Sequence, residues 1–431
     1  MQRTLTTLCP EDTHAPAESA AGDRLVSTLL SHLGAAMIAT GQPVNEIEEE
    51  LAEIGKAWGF TGIQIGAAPT GLMISLHSGG PAAYESVTAS VRLDQTTEVR
   101  RIRYQLLSGE LDPRTALQEL SVLRAKPARY APWLIQIAWV FISVGIALVL
   151  QPGWRNIAAV AASAGVVLAL LFLARRFAVI NVLLPTLAAF AVALLVFSAA
   201  DVGLIEGPLR TVLPPLAVLL PGALMVTGMS ELAAGHMQAG SARLAYGLVQ
   251  LGLFALGIIT ATAVLDIPPA MVINERVDDI GWVALPVGLL VITLGIALLE
   301  SVPLPMTPWV LLVLMMAGGA QSLGHMWGSA ALGGLLGAIA ASLGATFVEL
   351  LRPQLARLVL FLPAFWLLVP GSLGLIGVTQ LVADQADVTQ TVLDVVAVVC
   401  AIALGLLVGS ALGLALRNRL RPSPGLTQSS A

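Results

Sequence analysis

Ten stretches of this chain are each long and apolar enough to cross a bilayer, and no other property constrains its fold as strongly. They lie at about 133–150, 156–174, 178–200, 211–230, 245–264, 282–299, 304–322, 326–348, 358–379 and 392–416. A bilayer core of about 30 Å takes about 20 helical residues to span. Inside it a backbone N–H or C=O finds no water, so runs of this length are helices that satisfy their own backbone. Composition agrees: 56% of residues are hydrophobic and 11% charged, where an ordinary soluble domain carries about 25% charged residues. The expected fold is an all-α polytopic membrane protein of about ten spans.

Two of the ten runs are copies of one another. LPPLAVLLPGALMVTGMSEL, from residue 213, and LPAFWLLVPGSLGLIGVTQL, from residue 362, align without a gap. Pro214 falls on Pro363, Pro221 on Pro370, Gly222 on Gly371, Leu224 on Leu373, Gly228 on Gly377 and Leu232 on Leu381. The offset of 149 residues also carries each of the first five runs onto one of the last five, with Trp133 on Trp282. Five spans per repeat is an odd number, so the second repeat enters from the opposite side and the two halves are inverted. Proline removes a helical hydrogen bond and clashes with the preceding turn. Paired broken helices in inverted halves point to the binding site of a secondary transporter.

Charge orients the chain. With the N-terminus inside, the inner flanks hold Arg124, Lys126, Arg129, Arg175, Arg176, Arg243, Arg352, Arg357, Arg417, Arg419 and Arg421. The outer loops hold only Arg155, Arg210 and Arg276. That bias places both termini in the cytoplasm. The acidic residues Asp201, Glu206, Asp266, Glu275, Asp278, Asp279, Asp384 and Asp387 then lie outside as solvated loop charge. The overall charge of −5 adds little. Cys9 and Cys400 suggest neither a disulfide framework nor a thiolate metal cluster. The first residues lack the apolar core of a signal peptide.

The expected domains are a disordered tail at 1–21, a cytoplasmic α+β domain at 22–130, five-helix repeats at 131–265 and 280–418, and a cytoplasmic tail at 419–431. In the α+β domain, Val44, Ile47, Leu51, Ile54 and Trp58 line one face of a helix over 44–58. Another helix is expected at 25–38, and two more at about 97–109 and 113–125. Alternation marks three short strands through Ile63 and Ile65, through Leu72, Ile74 and Leu76, and through Val87, Ala89 and Val91.

ATGQPVNEIEEELAEIGKAWGF at 39–60, APTGLMISLHS at 68–78 and LPGALMVTGMSELAAGHMQAGSARLAYG at 220–247 resemble the threonine/serine exporter family. The order of soluble domain, five spans and five more spans matches over about 22–420. The resemblance implies efflux of small hydroxylated amino acids, threonine and serine, from a bacterial cell (inner) membrane, driven by the proton motive force. The later half departs more, placing Gln380 where the earlier half has Glu231.

The substrate site expected from these features comprises Pro221, Gly222, Thr227 and Gly228 with Pro370, Gly371, Gly377 and Gln380. Unwound backbone offers N–H groups to a carboxylate and C=O groups to an ammonium. The bland alternative is a kink without ligand. Glu231 is the expected proton-coupling residue if it lies deep, and an interfacial charge if the helix resumes normally; Arg243 and His236 are its neighbours in sequence. Asn181, Gln250 and Gln321 are expected to bond between helices, and the glycines 222, 228, 247, 252, 257, 333, 334, 337 and 344 to let helices approach. There is no GxxxxGK[ST], HExxH, CxxC or GxSxG, and no metal, cofactor or nucleic acid is expected. The expected partners are threonine or serine, the lipid bilayer and further copies of the chain in a homo-oligomer. The runner-up functions are export of small dicarboxylates and a membrane-embedded hydrolase using the N-terminal domain, where Ser75, His77 and Ser78 lie.

Overall fold

The computed structural model describes residues 17–87, 91–268, 271–272, 275–352, 360–361, 363–364, 368, 375 and 388–420. The chain divides into two units, one of residues 1–91 and 98–126, the other of 92–97 and 127–431.

In the first unit, α1 (Ala17–Ala39) and α2 (Val44–Ala57) precede a three-stranded antiparallel sheet in the order β1 (Gln64–Ala68), β2 (Gly71–Ser75) and β3 (Ala82–Ser86). Helices α3 (Leu93–Leu107) and α4 (Pro113–Ala125) follow. The three-four spacing of α2 does what its period requires: Ile47, Leu51 and Ile54 are buried with Leu72 and Ile74 of β2 and with Leu29 and Leu33 of α1. Asp112 caps α4 by accepting the Arg114 and Thr115 N–H groups. Two expectations shift. Helix α1 begins at Ala17, inside the tail expected to be disordered, and the third strand of the sheet is Ala82–Ser86, ahead of the expected stretch through Val87, Ala89 and Val91, of which residues 88–90 lie outside the described residues. Turn geometry set that register: the two-residue link between β1 and β2 pairs Ala68 with Gly71, and β3 then pairs Tyr84 with Met73.

The second unit is helical. Among the described residues, eight helices are long and apolar enough to span a bilayer. They are α5 (Pro132–Leu150), α6 (Trp154–Ala174), α7 (Ala178–Asp201), α10 (Met237–Val264), α11 (Ala284–Leu299), α12 (Thr307–Trp327), α13 (Ala330–Leu351) and α14 (Val388–Leu420). Two of the ten expected spans are missing from this count for different reasons. The fourth is split into α8 (Pro208–Leu216) and α9 (Gly222–Ala233). The ninth, 358–379, falls mostly outside the described residues.

Packing repeats along with sequence. Helix α5 packs on α6 as α11 packs on α12, α6 on α7 as α12 on α13, and α7 on α10 as α13 on α14. One contact recurs almost residue for residue. A methyl group on Gly257 would press on the Thr186 carbonyl and the Ala189 side chain; one on Gly405 would press on the Leu335 carbonyl and the Ala338 side chain. Leu335 and Ala338 lie 149 residues beyond Thr186 and Ala189, and Gly405 lies 148 beyond Gly257. Helices α5 and α11 touch through glycine as well. A methyl on Gly145 would lie 2.9 Å from the Gly288 carbonyl, and one on Gly295 would lie 3.1 Å from the Ala138 carbonyl. Later residues of one helix meet earlier residues of the other, so the pair is antiparallel.

Small residues at these contacts let backbones approach where lipid gives no hydrophobic drive to associate. Most of the glycines expected at contacts are there, but Gly252 faces open space. Gly257→Leu and Gly252→Leu therefore test the contact within one helix. The first overpacks by about 1–3 kcal/mol and lowers the thermal midpoint in detergent; the second leaves it near wild type. Equal effects of the two substitutions would contradict this packing.

Candidate functional site

The chain breaks between α8 and α9 because proline and its neighbour both refuse the helix. Pro221 has no N–H, and the residue before a proline is pushed out of the α region. Helix α8 stops at Leu216, and α9 starts at Gly222 with Pro221 as its N-cap at φ −79° and ψ 27°. The Leu219 N–H closes a tight turn on the Leu216 carbonyl at 2.8 Å, and the Met225 N–H opens the next helix on the Pro221 carbonyl at 3.0 Å. Between them, among the described residues, the N–H groups of Gly222, Ala223 and Leu224 meet no acceptor, and the carbonyls of Val218, Leu219 and Leu220 meet no donor. Leu220, Pro221 and Gly222 are buried. Unpaired backbone groups at a buried helix end call for water or a ligand.

Three apolar clusters meet at this break. Leu216 and Leu220 belong to one with α7 and α10, Ala217 and Val218 lean on a second with α5, α11, α12 and α13, and Val226 belongs to a third with α13 and α14. Val226 is grouped with Ala338 and Ile402 of the later half, while Leu375, its counterpart 149 residues on, is grouped with Val192 and Leu251 of the earlier half.

Below the break, α9 is held to α10 through glycine. A methyl on Gly228 would lie 2.9 Å from the Gly240 carbonyl, and Gly247 abuts Met225. This approach brings Arg243 beside Gly228 and lets its Nε donate to Glu231 Oε2 at 3.0 Å. Glu231 is 0% and Arg243 7% exposed. The sequence left two settings open for Glu231, a solvated edge and a deep cavity. It takes a third: a fully buried carboxylate in an ion pair. Arg243 is accordingly no loop charge but one half of that pair. Among the described residues, Arg243 Nη2 is buried without a hydrogen-bond partner.

Thr227, partly buried, lies between Gly222 and Glu231 on α9, and its carbonyl accepts from Ser230. Pro370, Gly371, Gly377 and Gln380 lie outside the described residues. Gln250 bonds to Tyr246 of its own helix and not across helices.

A polar node at the opposite end of α8 was not singled out from sequence. Gln151 Nε2 donates to the Gly207 carbonyl at 3.3 Å, and Gln151 Oε1 accepts the Val277 N–H at 3.2 Å. Asn156 Nδ2 donates to Thr211 Oγ1 at 2.7 Å and to the Glu206 carbonyl at 2.7 Å. Gly207 takes φ 57°, in the left-handed region open to glycine. Gln151, Asn156 and Thr211 are all buried. Their signal was a polar side chain at the edge of an apolar run, which reads equally as a loop residue. Glu300, after α11, was missed for the same reason. It accepts the Leu93 N–H at 3.3 Å, and burial pushes its pKa up.

In the first unit, His77 Nε2 lies 3.0 Å from Asp23 Oδ2. Ser75 donates instead to the backbone carbonyls of His77 and Gly80. The hydroxyl a hydrolase would aim at that imidazole is thus spent on a turn.

Residues 28–265, more than half the chain, match the family model described as "Putative threonine/serine exporter". The chain belongs to the threonine/serine exporter family. Family membership and the apolar helices make it a multi-pass membrane transporter. No curated protein and no solved structure matches the exporter chain.

The buried pair makes a stability prediction. Removing one partner of a buried pair leaves an uncompensated charge at about 3–5 kcal/mol, whereas replacing both is often neutral. Glu231→Gln and Arg243→Gln should each lower the thermal midpoint more than the double variant does. A double variant as destabilised as the two singles combined would show that the side chains do not act as a pair.

Proposed function

We propose that the chain exports small hydroxylated amino acids, threonine and serine, by alternating access of two inverted five-helix repeats around the Pro-Gly breaks. The observation that carries this reading is the set of backbone groups at 218–224 that, among the described residues, meet no partner where three apolar clusters come together. A zwitterion needs donors for its carboxylate and acceptors for its ammonium, and an unwound segment offers both within a few ångströms. The antiparallel α5–α11 contact, the Gly257 and Gly405 contacts and the exchanged places of Val226 and Leu375 support inversion.

The second break, at Pro370 and Gly371, completes the site in this reading, with Gly377 and Gln380 on its continuation. The positive-inside bias puts both termini in the cytoplasm of a bacterial cell, with residues 22–130 as a cytoplasmic domain. Glu231 is the proton-coupling residue of this reading, a buried carboxylate inside the membrane unit where the matching position holds Gln380. Dicarboxylate export is the second reading, favoured by Arg243, a cation inside the membrane unit. No metal, cofactor or catalytic step is needed.

Replacing Pro221-Gly222 by Ala-Ala should restore a continuous helix and remove the free backbone groups. Serine efflux from preloaded vesicles then falls at least about tenfold, the value of one lost charge-assisted hydrogen bond, while membrane insertion survives. Efflux at the wild-type rate would reduce the break to a packing feature. Glu231→Gln, if it supplies coupling, abolishes efflux against a gradient and spares downhill exchange. Uphill efflux at the wild-type rate would move coupling elsewhere.

A further inference from the structure

The guanidinium of Arg243 satisfies only part of its donor set. Arginine carries five N–H donors in a rigid fork and is always charged. Its Nε is committed to Glu231, while Nη2 is buried and, among the described residues, unmatched. A buried donor left unmade costs about 1–3 kcal/mol, and more when charged. At the matching positions of the later half stand Gln380 and Val392, both uncharged, while Gly377 repeats Gly228. The sequence repeat thus keeps the glycine of the hairpin and not the charges, which sets the pair apart from the packing motif.

We propose that Arg243 forms a second substrate subsite, on the cytoplasmic side of the break, where the spare Nη2 takes the carboxylate of the exported amino acid and Glu231 holds the fork in place. This rests on the exporter reading above. The subsite is separate from the break. Gly228, against which Arg243 packs, lies six residues along α9 from Gly222, about 9 Å at 1.5 Å per residue. The guanidinium reaches farther still, towards Glu231. The ammonium and carboxylate of an α-amino acid share one carbon, so one molecule does not touch both places. An arriving substrate is caught by its carboxylate at Arg243 and then passes to the unwound backbone. Capture of the carboxylate on arrival therefore resides in Arg243, and the zwitterion is bound afterwards by the N–H and C=O groups of the break.

The test compares serine with serinamide, whose carboxylate is replaced by a neutral amide, binding to the purified full-length protein. Wild type should bind serine at least about tenfold more tightly than serinamide, as expected for one charge-assisted hydrogen bond. In Arg243→Gln the ratio should fall well below the wild-type value, to what the backbone of the break supplies alone, and in Arg243→Lys it should be intermediate. If Arg243→Gln does not fold, the double variant Glu231→Gln/Arg243→Gln, which leaves no lone charge, makes the same comparison. A merely structural arginine would weaken both ligands alike, so a wild-type ratio in either glutamine variant overturns this proposal and leaves the exporter reading standing. Wild type that binds neither serine nor threonine overturns the exporter reading and this proposal with it.

Discussion

A backbone hydrogen bond that cannot be made in lipid is the constraint on which the rest of the membrane unit depends. An unbroken helix satisfies its N–H and C=O groups internally apart from its ends, and among the described residues eight helices are long and apolar enough to use that solution across a bilayer. The segment around Pro221 does not, and such backbone is tolerated at membrane depth only inside protein or against water. Its surroundings meet that demand. Helix α8 is pinned at its far end by Gln151, Asn156 and Thr211, and α9 is pinned to α10 by Gly228, Gly240 and the Glu231–Arg243 pair. The break lies between two fixed points, walled by three apolar clusters.

Fixing both flanks while leaving the middle unpaired is what a binding site requires. In the proposed site, the cost of donors left unmatched among the described residues falls on the empty state and a bound ligand would relieve it. Val226 of the earlier half is grouped with residues of the later half and Leu375 of the later half with residues of the earlier one, which supports the proposed site shared by both halves. Symmetry stops at the charges. Glu231 and Arg243 occur in one half only, and a transporter that couples or discriminates needs its titratable and cationic groups in a defined place, not in two equivalent ones.

Much of this was legible from residue order. Apolar length gave the eight spans seen among the described residues, Pro221-Gly222 marked the end of the break between α8 and α9, and the period of Val44, Ile47, Leu51 and Ile54 gave the core face of α2. The setting of Glu231 was not legible. Its partner lies twelve positions away across a turn, and only the Gly228–Gly240 approach brings the two together. The node of Gln151, Asn156 and Thr211 spans more than fifty residues, so no local pattern announces it. The third strand, Ala82–Ser86, was not singled out because its residues do not alternate between apolar and polar, and its pairing with β2 places it.

The central claim is that this fold carries a hydroxylated amino acid outwards at the expense of a proton gradient. Reconstituted right-side-out vesicles, preloaded in turn with serine, threonine or succinate, test it most directly. The account predicts that acidifying the outside accelerates serine and threonine efflux, that a protonophore cancels the acceleration, and that succinate stays behind. Efflux of the two amino acids that ignores the imposed gradient, or a preference for succinate, would contradict it.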